Sequence, residues 1–150
     1  MYHREAYIVA SALPNIHMFF VPLVVAAGAL TLIVAIILLV QRRRLSDSNI
    51  PLSQSSPVLA RVFRWLLIVT GVLGAIQAAI GGLIWLLGGR PGDPLHFVYG
   101  GIVLLAIPVA YAYSDQKRVR RDVIIMLIAA VAIIGAAIRA LMTGAGLPPH

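Results

Sequence analysis

The chain of 150 residues contains no cysteine, and charged side chains are scarce. Without cysteine, the protein has no disulfide scaffold, no thiol redox chemistry and no thiolate-held zinc or iron–sulfur cluster. Charged residues make up 11% of the chain and hydrophobic residues 61%. So little polar surface cannot coat a water-soluble globule, and the composition therefore indicates an integral membrane protein.

Four apolar stretches occupy most of the chain, at about residues 18–40, 62–87, 95–113 and 123–142. Each is close to the roughly 20 residues that a helix needs to cross the hydrocarbon core of a bilayer. Helices satisfy their own backbone hydrogen bonds in lipid. We therefore expect an all-α integral membrane protein, with residues 1–150 forming a single domain, a four-transmembrane-helix up-down bundle. Asn15 is predicted to cap the first helix, and Asp93 with Pro94 to begin the third.

The net charge of +7 comes from basic residues that concentrate in two connecting segments. One group flanks the connection between the first two stretches, and the other lies between the last two: Arg42, Arg43, Arg44, Arg61, Arg64, Lys117, Arg118, Arg120 and Arg121. Lysine and arginine accumulate in cytoplasmic loops, so the pattern predicts cytoplasmic loops with both termini outside. The charge is thus explained by membrane topology rather than by nucleic-acid binding. Arginine outnumbers lysine eleven to one, a usage associated with GC-rich bacterial genomes, and we therefore expect a bacterial cytoplasmic membrane.

The two halves of the chain can be aligned with each other. NIHMFFVPLVV at residues 15–25 pairs with PLHFVYGGIVL at 94–104, which places His17 opposite His96. AIQAAIGG at 75–82 pairs with AIRALMTG at 137–144, which places Gln77 opposite Arg139. The alignment indicates two repeated helical hairpins of the same orientation, related by a pseudo-twofold axis along the membrane normal.

These four polar residues are predicted to converge at the outer end of the bundle. His17 and His96 begin diagonal helices and could be the axial iron ligands of haem b, with Arg139 pairing a haem propionate. Gln77 would be a further cofactor-binding residue, and a quinone is the other cofactor that this set could bind. Each residue also has an alternative role without a cofactor. The histidines could be hydrated among the lipid headgroups, and the Arg139 side chain could extend to the membrane interface. Gln77 could form a hydrogen bond only with a neighbouring helix.

The apolar stretches lack the side chains that usually carry out proton transfer or nucleophilic catalysis. No aspartate or glutamate lies within them as a proton relay, and no nucleophile has an adjacent base. The sequence therefore favours a non-catalytic role: a small accessory or scaffold subunit, contacting lipid and other subunits of a larger electron-transport complex, respiratory or photosynthetic. The alternative is a b-type haem- or quinone-binding redox protein with His17 and His96 as ligands. Aromatic residues near the ends of the apolar stretches, among them Trp85 and Tyr99, are interpreted as interfacial anchors. The alternative is that Trp85, Phe97 and Tyr99 line a pigment or quinone pocket.

Overall fold

The computed structural model describes residues 2–44, 57–114 and 119–144. Four helices account for nearly all of them: α1 (Tyr2–Arg44), α2 (Pro57–Leu86), α3 (Leu95–Tyr113) and α4 (Val119–Gly144). Each contains a segment long and apolar enough to cross a membrane, namely Ala12–Gln41, Pro57–Leu86, Leu95–Tyr113 and Arg121–Gly144. The predicted all-helical class, with four helices long and apolar enough to cross a membrane, is thus confirmed.

Large hydrophobic side chains cover the outer surface of the described helices. Phe19, Ile128 and Leu105 are more than half exposed, whereas the buried core contains mostly small and medium residues such as Ala35 and Ala130. A water-soluble monomer rarely exposes contiguous apolar surface on this scale. The four apolar helices therefore indicate a membrane protein whose outer surface faces lipid.

The helices pack in chain order, and α1 also contacts α4, so that each helix has two principal neighbours. Thr31 and Thr70 illustrate the α1–α2 contact, because both side chains are buried and their hydroxyl oxygens lie 3.1 Å apart. Thr31 already donates its hydroxyl hydrogen to the carbonyl of Ala27 at 2.8 Å. Thr70 must therefore be the donor to Thr31, and the pair leaves no hydroxyl hydrogen unused in the core.

The turn between α2 and α3 is fixed by glycine at the end of α2. Gly88 has a φ of +94°, a conformation that side chains disfavour. The amide of Gly89 donates to the carbonyl of Ile84 at 2.9 Å, and that of Gly88 donates to Trp85 at 3.0 Å. This is the Schellman arrangement that satisfies the last carbonyls of a helix. We call the end of the helices that carries this turn, residues 87–94, the histidine end.

The two predicted helix starts have different outcomes. Asp93 accepts a hydrogen bond from the amide of Leu95 at 2.8 Å, at the first turn of α3. Asn15 lies inside α1, which continues through Pro14 and Pro22, so the predicted cap is wrong. A proline removes one backbone hydrogen bond, and here the helix-compatible residues on both sides outweigh that loss. His17 consequently lies well within a helix, whereas His96 is the second residue of α3.

Gly74 marks a close approach between α2 and α3. A Cβ atom there would lie 3.0 Å from the carbonyl oxygen of Val103, which belongs to the backbone and cannot rotate away. We expect Gly74→Ala to lower the free energy of unfolding by about 1–3 kcal/mol, as overpacking does in cores. Thermal unfolding in detergent measures this, with Gly82→Ala as the control because a Cβ at Gly82 meets nothing within 4 Å. An unchanged midpoint for Gly74→Ala would contradict the close approach.

Candidate cofactor site

Two histidines from diagonal helices lie next to each other at the histidine end. The imidazole centres of His17, on α1, and His96, on α3, are 6.0 Å apart, with ring planes inclined at 55°. Neither α1 nor α3 is a principal packing neighbour of the other, so the two rings meet across the interior between α2 and α4. The site therefore combines side chains from opposite corners of the helix group.

Each imidazole is held by the other helix of its own hairpin. Nδ1 of His96 lies 2.9 Å from the carbonyl oxygen of Ala140 on α4, which requires this nitrogen to be the donor. Nε2 of His17 lies 3.3 Å from the side-chain amide of Gln77 on α2. One nitrogen of each ring is thus engaged, and the engaged nitrogen differs between the two rings.

Glycine makes room for both rings. A Cβ atom at Gly81 would lie 3.1 Å from Cε1 of His17, and one at Gly144 would lie 2.8 Å from Cε1 of His96. Any larger residue at these positions would push the imidazole out of its place, because the contacts are shorter than ordinary van der Waals distance. Neither position was predicted from the sequence, although Gly81 is the second-to-last residue of the aligned segment 75–82 and Gly144 is the last residue of 137–144.

The two hairpins hold their histidines in the same way, in a register that differs by one residue from the sequence alignment. His17 contacts Gln77 and the position of Gly81, whereas His96 contacts Ala140 and the position of Gly144. Gln77 therefore corresponds to Ala140, and not to Arg139. On a helix a shift of one residue turns a side chain by about 100°, which takes Arg139 off the histidine face.

Arg139 is accordingly separate from the other three predicted residues. It is exposed, and its guanidinium carbon lies 5.8 Å from the ring centre of Tyr99. Neither of the pockets at the histidine end is lined by it. The structure thus brings together His17, Gln77 and His96, and places Arg139 on the outer surface of α4.

Two adjoining pockets surround the histidines, and we call them together the histidine cavity. The inner pocket has a volume of about 260 Å³ and the outer pocket of about 280 Å³. Residues that line both include His17, Gln77, Trp85, His96, Phe97 and Ala140. Trp85 and Phe97, which form an edge-to-face pair at 6.2 Å, therefore lie at the cavity wall as well as near helix ends.

The inner pocket is open because glycine lines its wall. Gly82, Gly100 and Gly101 face it, and a Cβ atom at any of them would meet nothing within 4 Å. Glycine on a helix exposes the backbone to close approach by a flat ligand. Apart from His17, Gln77 and His96, the rest of the inner wall is apolar, and it includes Val24, Val103 and Leu104.

Two buried polar atoms beside the cavity have no hydrogen-bond partner among the described residues: Nδ1 of His17 and Oε1 of Gln77. Buried polar atoms in folded proteins usually have partners, so these two atoms are available to a water molecule or a bound group in the pocket. Within the described ranges, no cluster of three or more His, Cys, Asp or Glu could hold a metal ion. A bare ion would therefore have too few protein ligands here.

Comparison of the chain with models of protein families, with curated protein sequences and with solved structures found no match.

Proposed function

We propose that the protein is a b-type haem-binding membrane redox protein, with His17 and His96 as the two axial ligands of the iron. The observation that carries the proposal is the meeting of two imidazoles from diagonal helices at 6.0 Å. Metal–imidazole bonds are about 2 Å long, so two imidazoles on opposite sides of one ion have ring centres roughly 6 Å apart. Haem iron brings four nitrogen ligands of its own, which explains why two histidines suffice.

The hydrogen bonds of the two rings support this role. With Nδ1 of His96 donating to Ala140, Nε2 is left unprotonated and able to bind a metal. For His17, rotation of the Gln77 amide by 180° places Oε1 of Gln77 beside Nε2 of His17. Nε2 of His17 then donates to Oε1 of Gln77, and Nδ1 of His17 is left unprotonated. Metal-binding histidines commonly donate their other ring nitrogen to a carbonyl oxygen in this way. The same rotation gives Oε1 of Gln77 a partner.

The shape of the histidine cavity also supports a flat, mostly apolar cofactor. Its two pockets, of about 260 and 280 Å³, share much of their lining, and each is close to the lower end of the roughly 300–1,000 Å³ that is usual for ligand sites. Glycine at positions 100 and 101 lets a ring system lie against the backbone of α3, and Trp85 and Phe97 add aromatic walls. These residues fit haem, and their task is to hold it, to orient the imidazoles and to keep water from the iron.

When bound, haem supplies one-electron transfer, and axial-ligand identity and burial set its potential. Two neutral imidazoles leave no open position on the iron for a substrate. This arrangement favours electron carriage over catalysis, in line with the non-catalytic role expected from the sequence.

Titration of the purified protein with haem b in detergent tests the proposal. We expect binding at one haem per chain and the sharp α and β bands of six-coordinate low-spin ferrous haem. If the protein stays colourless and is stabilised by a ubiquinone analogue, the cofactor is a quinone and not haem. A protein that binds neither would refute the redox role. The accessory-subunit expectation remains a prediction, and copurification of larger membrane subunits would support it.

We further propose that the four helices form an up-down bundle in a bacterial cytoplasmic membrane, with the histidine end outside. Arg61, Arg64 and Arg121 are exposed at the opposite end, as the positive-inside pattern requires. Because the chain has no cysteine, a single Ser53→Cys substitution in the connection between α1 and α2 reports its side. We expect a membrane-impermeant maleimide to label it in inverted vesicles and not in intact cells. The reverse labelling would place the histidine end inside.

A further inference from the structure

Arg90 lies at the mouth of the histidine cavity, where it lines the outer pocket. Its Nη1 donates to the carbonyl oxygens of Gly89 at 3.3 Å and Trp85 at 3.4 Å. The guanidinium carbon also lies 5.8 Å from the ring centre of Trp85, which lines both pockets. The end of α2 and its aromatic residue thus fix the position of this cation.

No carboxylate of residues 12–41, 57–114 or 121–144 forms an ion pair with Arg90. The nearby Asp93 accepts a hydrogen bond from the amide of Leu95. A guanidinium has five N–H donors, and only Nη1 is engaged by the two carbonyls. The remaining donors can bind an anion at the cavity mouth.

Arg139 provides a contrast at the same end of the molecule. Its guanidinium also lies 5.8 Å from an aromatic ring centre, that of Tyr99, yet Arg139 lines neither pocket. The two arginines therefore share charge and aromatic contact and differ in their access to the cavity.

We infer that Arg90, and not Arg139, binds the carboxylate of a ligand in the histidine cavity. The inference rests on the proposed function, in which the carboxylates are the haem propionates. The apolar ring system then occupies the inner pocket between the glycine-lined helices, and its anionic edge faces the outer pocket. Guanidinium groups bind carboxylates through paired, charge-assisted hydrogen bonds, which gives this edge a defined orientation.

The test compares haem b with its dimethyl ester, in which both propionates are uncharged. We expect the wild-type protein to bind the free acid about 2- to 5-fold more tightly than the ester, the upper part of the range measured for exposed charge pairs. Arg90→Leu should reduce this ratio to about one, whereas the matched control Arg139→Leu should leave it unchanged. Because both ligands are measured on the same variant, any loss of folding caused by removing the helix-end contacts cancels in the ratio.

Several outcomes would overturn the inference. If both haems bind and Arg90→Leu keeps the wild-type preference, Arg90 is only a helix-end cap, and the proposed function is unaffected. Loss of the preference in Arg139→Leu alone would reassign the carboxylate to Arg139. If the wild-type protein binds neither haem, the proposed function fails and this inference fails with it.

Discussion

Replacement of either histidine should abolish the six-coordinate haem spectrum. In His17→Ala and in His96→Ala, one imidazole remains, so the iron keeps a single protein ligand and changes to a five-coordinate, high-spin state. We expect haem b affinity to fall by more than about 100-fold in each variant, beyond the 10- to 100-fold typical of losing an outer-shell partner. Absorption spectra during haem titration measure both effects.

His3→Ala is the control for these variants, because His3 precedes the membrane-crossing segment that begins at Ala12. It should bind haem like the wild-type protein. Addition of free imidazole should restore the low-spin spectrum of His96→Ala, since a small ligand can occupy the space of the lost ring. A low-spin spectrum in both alanine variants without added imidazole would contradict the assignment of the ligands.

Filling the inner pocket should block the cofactor without unfolding the protein. Gly100 lines this pocket, and a Cβ atom there would meet nothing within 4 Å. Gly100→Leu therefore places a side chain in open space where the ring system is proposed to lie. We expect haem affinity to fall by at least about tenfold, because a displaced ligand loses contacts worth more than about 1.4 kcal/mol.

Gly135→Leu on α4 is the matched control. A Cβ atom at Gly135 also meets nothing within 4 Å, but Gly135 lines neither pocket of the histidine cavity. Both substitutions replace a helical glycine by leucine, so their effects on helix propensity are alike. Equal haem affinity in the two variants would show that the inner pocket is not the cofactor site.

The helical class could be predicted from the sequence because hydrophobic length alone selects membrane-crossing helices. The bounds of α3 also followed from the sequence, since Asp93 and Pro94 precede it and α3 is Leu95–Tyr113. The start of α1 did not, because Asn15 resembles a cap only if the chain before it is not helical. Whether a helix continues through Pro14 depends on the residues on both sides, and α1 begins at Tyr2.

The proximity of His17 to His96 could be expected from two similar helix segments placed at diagonal corners. Their role as iron ligands stays a prediction. The prediction that Arg139 joins them rests on its place one turn before the end of the fourth apolar stretch, which gives its depth but not the face of α4 on which it lies. The sequence alignment is also one residue out of register, because apolar segments offer few identities with which to correct such an error. Only the contacts of His96 with Ala140 and Gly144 reveal the register.

Arg90 could not be recognised from the sequence, where it is one arginine in a short turn. Its position at the cavity mouth depends on the left-handed conformation of Gly88 and on contacts with Trp85. The glycines pose a similar problem, because a glycine in a helix can mark close packing or open space. A Cβ atom added at Gly74 would lie 3.0 Å from a backbone atom of the neighbouring helix, whereas one added at Gly100 would meet nothing within 4 Å. The position of the neighbouring helix, which the sequence does not give, distinguishes the two cases.

Electron paramagnetic resonance of the ferric, haem-loaded protein tests the central claim most directly, because it reports the two axial ligands of the iron. We predict the rhombic or highly anisotropic low-spin signal of bis-imidazole haem, and its replacement by a high-spin signal in His96→Ala. A high-spin signal in the wild-type protein, or the absence of bound haem, would contradict the proposal that His17 and His96 together hold the iron.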